Sequence, residues 1–200
     1  MHPALEAVLD FWFGVLDRAG LAAPAFAERW WKKDPAFDAE IRARFADLHA
    51  SVAAGDRDAR LESPRDRLAR IVVLDQLSRN LFRDSGRMFA CDARALALTE
   101  AALAAREERS LATDERVFLL MPLMHSESLA DQTRCVVLFE ALAAQCAGRA
   151  RARVANNAAF ARRHRDVILR FGRFPHRNAL LGRASTEEEL AFLEQPGSSF

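Results

Sequence analysis

The sequence predicts an all-α fold, and three observations carry that expectation. Apolar residues recur at helical spacing along almost the whole chain, and no segment alternates strictly in and out between turn residues. The alphabet also favours helix: 39 residues are Ala, 27 of the 29 basic residues are Arg, and Tyr is absent. Half of the 200 residues are hydrophobic and 28% are charged, which excludes intrinsic disorder and supplies one substantial core. No linker rich in Gly, Pro or Ser divides the chain, so residues 1–200 are expected to form a single domain.

Each helix has its own punctuation. Leu5, Val8, Leu9, Trp12 and Phe13 form an apolar stripe that stops at Gly14, a residue suited to a left-handed C′ position. Asp34-Pro35 reads as an N-cap followed by proline in the first turn, and Phe37, Ile41, Phe45, Leu48 and Val52 run down one face to Gly55. Ser63-Pro64 repeats that start for a helix to about Phe82, and the turn Asp84-Ser85-Gly86 precedes another from about Met88 to Arg106. Thr113 is the expected cap of the next helix, with Asp114 and Glu115 at its positive end, and Pro122 is expected to kink or end it near Met121. Ser128 with Asp131 resembles a capping box for a helix to about Cys146, and a further helix is expected from about Arg153 to Phe171. Ser185 with Glu188 should cap a final short one. About eight helices joined by short loops suggest antiparallel hairpins, stacked or bundled; no clean repeat near 34 residues decides between the two.

Several function classes drop out. The longest stretch without a charge, from Val117 to Ser126, is far short of a membrane span, and the N-terminus lacks a basic leader. Cys91, Cys135 and Cys146 have no C-x-x-C spacing, which fits free thiols in a reducing cytoplasm. There is no G-x-G-x-x-G, Walker-type loop, H-E-x-x-H or G-x-S-x-G, so no nucleotide or other cofactor is expected. Between Arg149 and Arg177 nine Arg face one acid, Asp166, but no nucleic-acid motif accompanies them and a solvated helix face is the simpler reading.

Polar residues in apolar positions mark where chemistry could reside. Asp75 and Arg79 fall in the sector of Leu68, Ile71, Val72 and Phe82, so both should face inward as an i, i+4 pair, either as a structural ion pair or as the lining of a pocket. His125-Ser126-Glu127 offers a base, a hydroxyl and an acid in an expected loop, with Glu127 orienting His125 or capping the next helix beside Ser126. His164 lies on the apolar stripe of Phe160, Val167, Ile168 and Phe171, either as a hydrogen-bonded core residue or as a metal ligand whose site would be completed from His125, Glu127, His176 and Asp75. The segment Phe171-Gly172-Arg173-Phe174-Pro175-His176-Arg177-Asn178 is rich in donors and suits a carboxylate or phosphate, or the carbonyl ends of helices.

These same segments carry a family resemblance. Asp10-Phe11-Trp12-Phe13-Gly14, Leu74-Asp75-Gln76-Leu77-Ser78-Arg79-Asn80, Met121-Pro122-Leu123-Met124-His125-Ser126-Glu127, the 171–178 segment and Leu181-Gly182-Arg183 together resemble the bacterial family called domain of unknown function 924. The sequence departs from that pattern at Leu77-Ser78, where Phe-Pro is frequent, and near Leu61, where Trp is. The resemblance implies an all-helical, tetratricopeptide-like fold and no established activity.

The leading expectation is a binding protein whose inter-helix site, drawn from Asp75, Arg79, Asn80, His125, Ser126, Glu127, Arg173, His176, Arg177 and Asn178, takes a small anion or a partner segment. A second reading is a metal-assisted or acid-base enzyme using His125 and Glu127. A third makes the polar network structural.

Overall fold

The computed structural model describes residues 2–56 and 63–198; Leu61 lies outside them. The longer helices are α1 (Pro3–Phe13), α2 (Pro35–Ala54), α3 at 64–81, α4 (Asp92–Ala104), α5 (Thr113–His125), α6 (Leu129–Gln145), α7 (Gly148–Phe171) and α8 (Glu187–Leu193). A single turn, Pro24–Ala27, and short 3-10 segments fill several connections, and the only β pairing among the described residues is one bridge between Leu16 and Ala22. From α2 to α7, each helix packs against its successor, most extensively α6 against α7. None of the described helices is long and apolar enough to cross a membrane. Cys91, Cys135 and Cys146 are free.

Capping chemistry explains most boundaries. Asp34 accepts from the backbone N–H groups of Ala36 and Phe37, and Gly55 closes α2 in the left-handed conformation at φ 88°. Ser63 accepts from the Asp66 N–H, and Ser128 from the Asp131 N–H. Gly14 does have positive φ, but its ψ of −150° is not left-handed helical, and a Cβ there would sit 2.6 Å from the Phe26 ring.

Other boundaries differ from expectation, each for a local reason. A 3-10 turn, Gly86–Phe89, precedes α4, so that helix begins at Asp92 instead of Met88. Helix α7 starts at Gly148, well before Arg153; Ala147 gives it no side-chain cap to read, and Arg151 instead donates to the carbonyls of Cys146 and Ala144 at the end of α6. The last cap is Thr186, reciprocated by Glu189, one residue later than expected. Thr113 does not cap α5: its hydroxyl donates to the Ala19 carbonyl, and Ala112 holds the cap position with its N–H bonded to Glu115. Pro122 does not end α5, which continues to His125; on the turn that the proline disturbs, the Leu119 carbonyl accepts from Thr99 at 2.9 Å.

The core runs through every helix from α1 to α7. Leu5, Val8, Leu9, Trp12, Ile41, Leu68, Val72, Phe118, Phe139 and Val154 are all buried within it. Trp12 and Phe13 meet the Phe118 ring edge-on at 5.6 and 5.4 Å, pinning α1 to α5. A smaller cluster of Val167, Ile168 and Phe174 seats the end of α7 on the segment that follows.

The nine arginines between 149 and 177 do not form an open basic face. Arg149, Arg153, Arg162, Arg170 and Arg173 pair with acids on other parts of the chain, Asp17, Asp114, Glu140, Glu188 and Glu189. The remaining members include Arg165, paired with its neighbour Asp166.

Candidate functional site: a buried Asp–His pair at a widened helical turn

Helix α3 is not uniform. It runs α-helical over Pro64–Ile71, widens to a π-helix over Val72–Leu77, and closes as α-helix over Ser78–Leu81. Such insertions cost hydrogen-bond geometry and recur where a side chain must be re-aimed. Asp75 stands in this widened segment with no solvent exposure. Its Oδ1 accepts from Arg79 Nη1 at 2.9 Å and from His125 Nδ1 at 2.7 Å, and its Oδ2 accepts from Gln76 Nε2 at 2.6 Å. Arg79 Nη1 also donates to the Asp75 carbonyl at 2.6 Å.

His125 reaches Asp75 because α5 passes through Pro122 and ends on it. It is the last helical residue and not part of a loop. Burial alone would raise the Asp75 carboxyl, but the charge of Arg79 and the hydrogen bonds donated by His125 and Gln76 outweigh it and hold it well below the ordinary range. A carboxylate only accepts, so the His125 Nδ1 carries the hydrogen and the neutral ring keeps its lone pair on Nε2. Burial, with Arg79 second, lowers the His125 pKa against the opposing pull of Asp75, so the ring is neutral near pH 7. Nε2 has no hydrogen-bond partner among the described residues, and the side chain retains 15% exposure.

A second acid extends the pair into a chain. Asp92, the first residue of α4, accepts from Arg79 at 3.1 and 3.2 Å and from Arg177 at 3.4 Å. Arg177 ends the 3-10 turn Pro175–Arg177, with its guanidinium 4.5 Å from the centres of both the Phe89 and Phe174 rings. Burial, then the charge of Arg79, lowers its pKa to about 10. His176 packs its ring 5.5 Å from that of Phe174, and burial together with Arg177 takes it down to about 4.

The remaining expected residues divide among other networks. Glu127 does not orient His125; it accepts from the Phe174 N–H at 2.8 Å and pairs with Arg183 through both oxygens. Ser126 does not cap α6, whose cap is Ser128; it closes the end of α5, with its hydroxyl accepting from the Ser128 N–H and donating to Asp131. Asn80 joins Arg83 on Asp38, tying α3 to α2. Arg173 and Asn178 both serve Glu189, holding α8 in place, and Arg173 also donates to the Ala184 carbonyl. His164 is the hydrogen-bonded core residue of the blander reading: Nδ1 donates to the Phe160 carbonyl at 2.8 Å, and burial drops its pKa to about 3. Phe160 itself is 40% exposed and not part of a buried stripe. Among the described residues, no three His, Cys, Asp or Glu are grouped to hold a metal ion.

Comparison with known proteins gives the family of the chain. The model of the family described as bacterial protein of unknown function, DUF924, matches residues 8–197. The chain belongs to DUF924. Its fold is similar to that of a protein of unknown function from Agrobacterium tumefaciens, with a TM-score of 0.78 and 34% identity over 95% of this chain and 96% of that one. No curated protein matches. In this DUF924 chain, the departure at Leu77-Ser78 has a local account: Ser78 Oγ donates to the Leu74 carbonyl at 2.6 Å and accepts from His49 Nε2 at 2.7 Å, so the hydroxyl is satisfied within the core.

Asp92, Gln76 and Phe89 are the members of the centre that sequence reasoning missed. Asp92 was hidden inside an overlong helix; a start at 92 would have marked it as a first-turn acid.

Proposed function

We propose that this DUF924 chain is an acid-base protein acting on a small polar ligand, with His125 Nε2 as the base and Asp75 as the group that holds its tautomer and orientation. The observation that carries this is the Asp75–His125 contact at 2.7 Å on a ring whose far nitrogen is left without a protein partner. A neutral imidazole fixed through Nδ1 can take a proton at Nε2, and the buried carboxylate then stabilises the imidazolium that forms. The reading shifts the acid from Glu127 to Asp75 and needs no metal. It also departs from simple anion capture by all the motif arginines, since Arg79, Arg173 and Arg183 are engaged with Asp75 and Asp92, Glu189 and Glu127.

Two coarser points accompany it. The succession of helices packed each on the next supports a tetratricopeptide-like stack, in which the site lies on rigid elements. Free thiols at three positions are in keeping with a reducing, cytoplasmic setting.

Long-range nitrogen-proton NMR of the imidazoles tests the reading together with a turnover screen on carbon acids and esters. The expected spectrum has His125 protonated on Nδ1 and neutral at pH 7, and any turnover found should vanish in a folded His125→Gln variant. A His125 ring protonated on Nε2, or turnover unchanged in that variant, would overturn the assignment.

A further inference from the structure

Arg177 is the one guanidinium of this centre whose binding edge is not used. Arg79 engages Asp75 and Asp92, and Arg183 engages both oxygens of Glu127. Arg177 is 6% exposed, yet its contact with an acid is a single 3.4 Å approach of Nη1 to Asp92. Its Nε is buried without a hydrogen-bond partner among the described residues, and Nη2 makes no hydrogen bond among them either. Five donors on a buried group normally find acceptors, so an unused pair on one side is an anomaly of the kind that needs an account.

The position of the group adds to this. Phe89 and Phe174 each lie 4.5 Å from the guanidinium carbon, one from the turn before α4 and one from the segment after α7. Two rings from distant parts of the chain fix the plane of the fork before any ligand arrives, which removes much of the ordering cost of binding. Nε and Nη2 form the side-on edge of a guanidinium, two parallel N–H groups matched to the two oxygens of a carboxylate.

We propose that the Nε/Nη2 edge of Arg177 is a binding subsite for a small monocarboxylate. A phosphate dianion would call on further cations, and the neighbouring ones are already held by acids. The proposal deepens the acid-base reading, since it names the class of molecule that His125 would act on, but binding at Arg177 can be measured without any turnover.

The test is titration of the full-length protein with acetate and propionate, with acetamide as neutral isostere and inorganic phosphate as the competing oxyanion, read by calorimetry and by the side-chain Nε–H resonance of Arg177. Carboxylates should bind and move that resonance downfield, acetamide should not, and phosphate should bind at least ~10-fold more weakly. Arg177→Lys keeps the charge and loses the fork, so it should weaken carboxylate binding by about 10-fold or more. His125→Gln should leave carboxylate affinity within about threefold, which separates the subsite from the base. If Arg177→Lys fails to fold, the wild-type resonance decides alone. An Arg177 resonance indifferent to carboxylate, acetamide equal to acetate, tighter phosphate binding, or a folded Arg177→Lys variant with full affinity would each overturn the proposal.

Discussion

Replacing Asp75 with Asn keeps the shape of the side chain and removes its charge, so it isolates what the carboxylate contributes. The wild-type group has no exposure and accepts from three side chains, Arg79, His125 and Gln76, at 2.9, 2.7 and 2.6 Å. An amide offers a single acceptor oxygen and turns an N–H₂ toward one of those donors. Breaking a buried ion pair by removing one partner typically costs 3–5 kcal/mol. Arg79 is not wholly stranded, because Asp92 still accepts from it at 3.1 and 3.2 Å, so the lower end, about 3 kcal/mol, is expected. For a chain of this size that corresponds to a Tm lower by roughly 6–12 °C. Urea denaturation of both proteins as a function of pH adds a second readout. The folded-state pKa of Asp75 is depressed, so its stabilising contribution is complete above the ordinary Asp pKa and is lost as pH falls through the folded value. The gap between wild type and variant should therefore be level near neutrality and shrink once pH drops below about 4. A variant within about 1 kcal/mol of wild type at pH 7, or a gap that does not change with acidity, would refute the ion-pair account.

Three further outcomes follow from other parts of the molecule. His164 and His176 are held neutral with pKa values lowered to about 3 and about 4, so the unfolded chain binds more protons between those values and the ordinary imidazole pKa; stability should fall on acidification through that window, and His164→Gln should flatten the slope by up to about 1.4 kcal/mol per pH unit. Glu189→Gln should loosen α8, seen as trypsin cleavage at Arg183 several-fold faster than in wild type, because Glu189 is where Arg173, Asn178 and the Thr186 N–H converge. A Cβ on Gly86 would lie 2.5 Å from the Leu180 carbonyl, so Gly86→Ala should push the turn bearing Phe89 away from the segment bearing Arg177, at about 1–3 kcal/mol in denaturation and with weaker carboxylate binding at Arg177.

The helical class was legible because period and caps repeat the same message along the chain. Asp34, Ser63 and Ser128 announce starts with side chains that do bond to the first turn. Where the cap is an alanine, as at Ala112 and Ala147, no side chain announces the start. The inward pair Asp75–Arg79 was legible as charge on an apolar face. Its partner His125 was legible only as a residue type, because proline argued for a break before it and Glu127 stood two residues away as a nearer acid. Chain proximity favoured Glu127; packing of α5 on α3 favours Asp75. Nothing in the local pattern separates Arg177 from Arg173, and only coordinates show that the latter spends both edges on Glu189 and Ala184 while the former keeps one.

The six-residue π segment of α3 makes the centre sensitive to chain length at one place. Each residue of an ordinary helix advances the direction of its side chains by about 100°. Deleting one residue within 72–77 would let that segment tighten into regular α-helix with better backbone bonding, and would swing Asp75 out of line with the ring at the end of α5. The shortened protein should lose the buried contact between Asp75 and His125 together with the hydrogen on His125 Nδ1, so that a single codon sets the register of the whole centre.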